Sequence, residues 1–444
     1  MSESMFKTAD GKNYKLPFIL ITSLFLLWGF AHSLLDILNK HFQDALHLTK
    51  AQSGLVQAAA YGAYFIMAIP AGFIAKKYGY KTGVLLGLVL FAIGCFWFVP
   101  AVGINEFWAF LMGLTVIFFG LTFLETVANP YTTVLGNPKY AASRINLAQT
   151  FNAIGWILGP LLGSLLIFRN ESSENLFVSF GKTIQTIFTG VNPSSAAVVS
   201  ENASAAVDNS ALIVPYVGLG IVVVLVIIMF FFVKLPEVNP ETAEHDASTT
   251  NSIAANSSKK LYQYRHFVFA VIAQLLYVAA QTGIGSFFVN YTVEAEGLGI
   301  NELQAGILLG LGGMGLFAVG RLIGSSIMKK IKPELLLGIC ALANTLLMAL
   351  VANRHDNIGI LALIGSYLFM SIMFPSIFAL AIRGLGEKTK TAASIMVMTI
   401  VGGAVCPALM GAIGAENMNV GFIVPLVCFA YITFFGFICS KIKR

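Results

Sequence analysis

Charge is scarce in this chain: Asp, Glu, Lys and Arg together make up 11% of its 444 residues. An ordinary soluble domain carries about 25%, so a water-facing globule is excluded. Cysteine is scarce as well. Cys95, Cys340, Cys406, Cys428 and Cys439 are odd in number, lie in apolar stretches and form no CxxC pair. They read as small packing residues, not as disulfides or metal ligands. No P-loop, HExxH or GxSxG motif occurs, nor any pair of His at metal-ligating spacing. ATP-driven transport and the common hydrolytic chemistries therefore find no support, and the chain is not expected to be an enzyme. A cleaved leader is not expected, because the first apolar run, from Leu16, is long and leads directly into others.

What the chain has in abundance is apolar sequence. Hydrophobic residues make up 57% and the mean hydropathy is +0.80. A membrane-spanning helix needs roughly 20 such residues. Twelve stretches qualify, near 16–42, 51–75, 82–102, 106–134, 143–168, 212–234, 264–293, 303–328, 334–352, 357–382, 390–414 and 420–440. The expected fold is an all-α membrane protein of two six-helix halves, 1–234 and 264–444. They are joined by 235–263, a stretch rich in Ala, Ser, Thr, Asn and Glu that reads as a cytoplasmic linker. Weak repeats relate the halves. Ile74-Ala75-Lys76-Lys77 corresponds to Ile327-Met328-Lys329-Lys330, and Gly159-Pro160 with Gly163 corresponds to Cys406-Pro407 with Gly411. Internal repeats of this kind mark secondary transporters, with the substrate held near the midplane between halves.

The net charge of +6 is a matter of topology. With both termini inside, twenty-one of the 27 Lys and Arg fall in cytoplasmic segments and five fall outside: Lys40, Lys50, Arg169, Lys182 and Arg354. The remaining one, Arg321, lies within a span. That bias is the positive-inside rule. The expected setting is a cell inner membrane with both termini cytoplasmic, lipid around the helices and no nucleic-acid partner.

Ionisable groups inside spans are expensive and usually have a task. Asp36 and Glu125 stand well inside the first and fourth segments, and Arg321 inside the eighth. A desolvated carboxyl holds a proton more readily and releases it when wetted; a proton-coupled carrier requires this, and Glu125 and Asp36 are the candidate proton-coupling residues. A pathway carboxylate can equally bind Na+. Arg321 reads either as a gating or charge partner or as a helix anchor.

Polar residues share helix faces around these groups, since positions three, four or seven apart line up. His32 precedes Asp36 by one turn. Thr122, Glu125 and Asn129 form one stripe; Asn146, Gln149 and Asn152 form another, with Trp156 a turn further. Gln57, Tyr61 and Tyr64 line up in the second segment, and Gln274, Tyr277 and Gln281 in the seventh. Amides and carboxylates suit vicinal hydroxyls, and aromatic rings suit the C–H face of a sugar. Interhelical bonding is the alternative use of each single amide; the stripes together read as a polar cavity. The glycines at 310, 312, 313 and 315 and the Gly402-Gly403 pair read as sites of close packing or bending.

Four stretches carry a resemblance: Phe123–Tyr131 (FLETVANPY), Asn146–Gly155 (NLAQTFNAIG), Ala71–Tyr80 (AGFIAKKYGY) and Gln274–Thr282 (QLLYVAAQT). The chain resembles the fucose–galactose–glucose symporter family of the major facilitator superfamily. Lys76-Lys77 stands where the superfamily's usual loop has Asp followed by Arg, a departure this family shares. The resemblance implies a major facilitator fold and import of a monosaccharide such as L-fucose, galactose or glucose with a cation, normally a proton. It implies proton coupling at Glu125, substrate translocation at Asp36, and cavity-facing amides at Gln149 and Asn152. No cofactor is implied beyond the coupling ion, H+ with Na+ as the alternative, and a monomer is expected. The rival readings are an uncoupled facilitator of the same fold and a Na+-coupled hexose or N-acetylhexosamine symporter.

Overall fold

The computed structural model describes residues 6, 13–135, 141–167, 176–189, 209–233, 261–295, 297–328, 331–383, 385 and 389–439. Twelve helices among them are long and apolar enough to cross a membrane. Spans 1 to 6 run Lys15–Ala45, Lys50–Ala75, Lys77–Ile104, Phe107–Ala128, Leu147–Ile167 and Asn209–Phe232. Spans 7 to 12 run Arg265–Val293, Glu302–Gly324, Pro333–Asn353, Asn357–Ile382, Ile395–Ile413 and Met418–Cys439. All twelve expected stretches are present, with ends displaced by a few residues. An even number of crossings leaves Lys15 and Cys439 on one face of the bundle, the terminal face. The turn before Lys50 lies on the opposite, far face.

Local chemistry sets the breaks. Spans 2 and 3 are nearly continuous and reverse at Gly79, whose φ of 86° suits glycine because it has no Cβ. Thr49 caps span 2 by accepting from the Gln52 amide, and Asn301 caps span 8 the same way through Gln304. The glycine-rich stretch of span 8, Leu308–Met314, is a π-helical turn. Such turns are uncommon and often sit at functional bends. Here Gly310 brings span 8 onto the Leu161 side chain of span 5.

Arg144, counted above as a topology charge, has a structural use as well. It is fully buried, and its Nε donates to the Thr132 carbonyl at 3.0 Å, tying the chain before span 5 to the end of the span 4 helix. Burial pushes its guanidinium below the usual arginine range.

Span 1 packs on span 5 and spans 2 and 3 on span 4, while span 7 packs on span 11 and span 9 on spans 10 and 12. The halves meet through three pairings: spans 1 and 7, 2 and 11, and 5 and 8. Advancing each number by six returns the same three pairs, as a pseudo-twofold relation between the halves requires.

One element was not expected. Within the polar 169–211 stretch, Leu176–Thr189 is a helix that packs on the far-face portions of spans 8 and 10. Ser179, Thr183, Thr186 and Ile187 are its buried face, and Phe188 is exposed. The expected linker at 235–263 lies outside the described residues apart from a single turn at Leu261–Gln263.

Candidate functional site

His32 is the centre of an aromatic cage in the first half. Trp156 of span 5 stacks on it at 5.6 Å with 27° between planes. Phe118 of span 4 meets it edge-on at 4.9 Å, and Tyr61 and Tyr64 of span 2 lie at 5.7 and 5.4 Å. Three spans thus converge on an imidazole carried by a fourth. Its Nδ1 is buried without a hydrogen-bond partner in the protein. A buried polar atom left unmet costs about 1–3 kcal/mol, so this nitrogen would gain from any hydrogen-bonding group that reached the cage.

The two acids flank this cage differently. Asp36 lies one turn beyond His32 on span 1 and points across to span 7. A methyl at Gly285 would come within 2.8 Å of both its carboxyl oxygens. Glu125 lies on span 4, half-buried, with the Tyr64 hydroxyl facing its carboxyl. Tyr61 stands within electrostatic reach of both acids, and its hydroxyl faces Thr282 of span 7. Gly403 of span 11 closes on this pair, its absent methyl having only 2.7 Å to Thr282 Oγ1 and 3.0 Å to the Tyr61 ring.

The second half adds a mixed wall. Tyr277 donates to the Met370 carbonyl at 3.0 Å and meets Phe374 edge-on at 6.2 Å. Gln274 is fully buried, with neither amide atom partnered. Gln281 is half-buried on the same span. In the first half, Gln57 is buried with its Nε2 unpartnered.

Not every expected residue joins the site. Asn152 donates to the Phe25 carbonyl at 3.1 Å and packs against Gly29, so its amide nitrogen joins spans 1 and 5. That is the interhelical use of the amide nitrogen, and this bond leaves Oδ1 unengaged. Gln149 is half-buried one turn earlier. The side chains of Asn129 and Asn146 lie outside the described residues. Arg321 faces its own half: its Nε points to the Ser371 carbonyl at 3.4 Å, its guanidinium lies 5.0 Å over the Phe317 ring, and the Tyr277 hydroxyl is nearby. These partners make it a brace among spans 7, 8 and 10.

Phe118 and Thr282 were not anticipated. Phe118 continues the Thr122–Glu125–Asn129 stripe one turn back, a signal visible in the spacing but lost in an apolar run. Thr282 directly follows Gln281 and so falls off the Gln274–Tyr277–Gln281 face. Among the described residues no cluster of His, Cys, Asp and Glu could hold a metal ion.

Comparison with known proteins places this geometry in context. The family model described as "Major Facilitator Superfamily" matches residues 18–407. The "L-fucose-proton symporter" of Haemophilus influenzae is 37% identical over 440 residues, covering 98% of each chain. The "Glucose/galactose transporter" of Brucella abortus is 34% identical over 438 residues, covering 98% of this chain and 97% of the relative. A crystal structure of the Escherichia coli fucose:proton symporter superposes with a TM-score of 0.64 at 36% identity, over 97% of this chain and 100% of that one.

Proposed function

The chain belongs to the major facilitator superfamily, and from that premise we propose that it imports a monosaccharide together with a proton by alternating access. The observation that carries this reading is the pair of acids around one aromatic cage, Asp36 at the junction between the halves and Glu125 inside the first half. The relatives' names point to L-fucose, galactose or glucose as the sugar class.

The roles follow from surroundings. The carboxyl of Asp36 reaches the seam, where a sugar held between the halves contacts both. Its oxygens accept paired hydrogen bonds from sugar hydroxyls, and charged acceptors make such bonds stronger. Trp156 and His32 cover a C–H face, as flat rings do. Glu125 takes the proton when the site is wetted from outside and returns it when wetted from the cytoplasm. Its position beside Tyr64, within the first half, lets it change charge without carrying the sugar. Gln57, Tyr61, Gln149, Gln274, Tyr277 and Gln281 supply the remaining polar contacts. We place the terminal face in the cytoplasm, from the Lys and Arg bias, with 235–263 as the linker between halves 1–234 and 264–444. The proton is the coupling ion, no other cofactor is required, and the carrier acts as a monomer.

The test is counterflow in proteoliposomes against a panel of hexoses and deoxyhexoses, with pH and sodium gradients imposed separately. Accumulation driven by the pH gradient alone is expected. Accumulation driven only by sodium would transfer the coupling role to Na+, and exchange with no response to either gradient would leave a facilitator.

A further inference from the structure

The contact between spans 1 and 7 runs from Asp36 outward as a row of polar pairs. Asn39 Nδ2 donates to the Ser286 carbonyl at 3.1 Å. One turn on, Asn290 Nδ2 donates to Gln43 Oε1 at 2.6 Å, and Gln43 Nε2 donates to Ser53 Oγ at 2.8 Å. Positions 36, 39 and 43 share one face of span 1, and 286, 290 and 294 share one face of span 7, at helical spacing.

The row ends at Lys50. Its ammonium lies 2.8 Å from Glu294 Oε1 and 3.0 Å from Oε2, and donates to the Gly414 carbonyl at 3.1 Å. Glu294 Oε2 also accepts from the Met418 backbone amide at 3.2 Å. One cation at the start of span 2 thus ties together the end of span 7 and the turn between spans 11 and 12. Backbone packing supports it: Gly411 lies on the Lys50 backbone, and a methyl at Gly54 would come within 2.5 Å of the Ala408 amide nitrogen.

The same row also contains unmet groups. Asn39 Oδ1, Ser286 Oγ and Asn290 Oδ1 are buried without partners. Each is paid for in the closed seam and would be relieved by water if the seam opened. The seam therefore holds opposed tendencies: a charged clasp that favours closure and bare oxygens that favour hydration.

We propose that the Lys50–Glu294 pair is the clasp of the far-face gate, holding shut a seam whose unpartnered oxygens favour reopening. This rests on the alternating-access reading but concerns residues outside the sugar site. At the outer end of the row, with both side chains partly buried, the pair contributes through charge-assisted hydrogen bonds, which exceed ordinary ones.

The experiment measures the gate directly. Spin labels at His47→Cys and Glu416→Cys, on exposed far-face positions of the two halves, report the seam's opening by pulsed dipolar spectroscopy on the full chain. Lys50→Met and Glu294→Gln are each expected to raise the open-to-closed ratio about tenfold. Combining Lys50→Glu with Glu294→Lys is expected to return part of it, because the swap restores the ion pair but not the bonds to the Gly414 carbonyl and the Met418 amide. Ser286→Ala, which removes one bare oxygen and no bond, should lower it. Distance distributions unchanged in both single variants would overturn the clasp, as would opening by Ser286→Ala. Counterflow on the same proteins separates the two ideas. Seam distances that move while no sugar of the panel exchanges would leave the clasp standing and refute the substrate reading. Unmoved distances with normal exchange would do the reverse.

Discussion

Asp36 and Glu125 lie in the same half and border the same cage, yet their neighbours differ in kind. Asp36 is pressed against the backbone of the opposite half at Gly285, so whatever it binds is felt by the seam. Glu125 faces Tyr64 of its own half, so its protonation is felt first within that half. A carrier that moves two species needs both arrangements: one group that senses whether the halves are apart, and one that senses protons. The second half contributes its charge differently, through Arg321 held among Ser371, Phe317 and Tyr277.

The contrast can be broken at either acid. The largest expected effect is at Asp36. Hydrogen bonds to a charged group contribute about 1.5–3 kcal/mol, so Asp36→Asn should weaken sugar binding roughly ten- to a hundredfold. Equilibrium binding and counterflow should fall together. An unchanged affinity would remove Asp36 from the sugar. Next in size is Gly285→Ala, whose methyl meets the Asp36 oxygens at 2.8 Å. It should hold spans 1 and 7 apart, slowing turnover more than it weakens binding; a rate like that of the parent protein would mean that the seam gives way easily. Trp156→Leu removes the stacked partner of His32 but keeps apolar bulk. Stacking beyond simple burial contributes about 0.5–1.5 kcal/mol, so a several-fold rise in KM is expected, with pH dependence unaltered. An altered pH profile would tie the cage to the proton instead.

A control far from the site calibrates these effects. Asp356 caps span 10 by accepting from the Gly359 amide at 3.1 Å, and the guanidinium of Arg354 beside it holds its carboxyl below the usual range. The Asp356→Ala variant should lose about 1 kcal/mol of stability with no change in sugar affinity, read by thermal unfolding. The sign with pH follows from the depressed value. The stabilisation is complete above the unfolded carboxyl's pKa of about 4 and fades as pH falls through the lower folded value.

Much of this was legible in the sequence because it depends on single segments. Each span is a run of about 20 apolar residues, and Asp36 and Glu125 stand out because such runs rarely hold a charge. The cage was half legible: His32, Tyr61, Tyr64 and Trp156 fall on polar or aromatic stripes, while Phe118 resembles any core phenylalanine. What could not be read was opposition. Nothing in the spacing says that Asn39 faces Ser286 or that Lys50 meets Glu294, since both charges look like ordinary loop residues. Asn152 shows the same limit in reverse, its stripe suggesting a cavity while its carbonyl partner sits on span 1. The helix Leu176–Thr189 was hidden because its apolar residues recur at helical spacing over too short a length to stand out as a span.

The central claim is that proton movement passes through Glu125 while sugar recognition does not require its charge. The direct measurement is the alkalinisation of a weakly buffered medium when sugar is added to cells or right-side-out vesicles containing the carrier. The parent protein should take up protons with sugar. Glu125→Gln should show sugar counterflow with no proton uptake and no accumulation. Sugar-evoked proton uptake of normal size in Glu125→Gln would contradict the account.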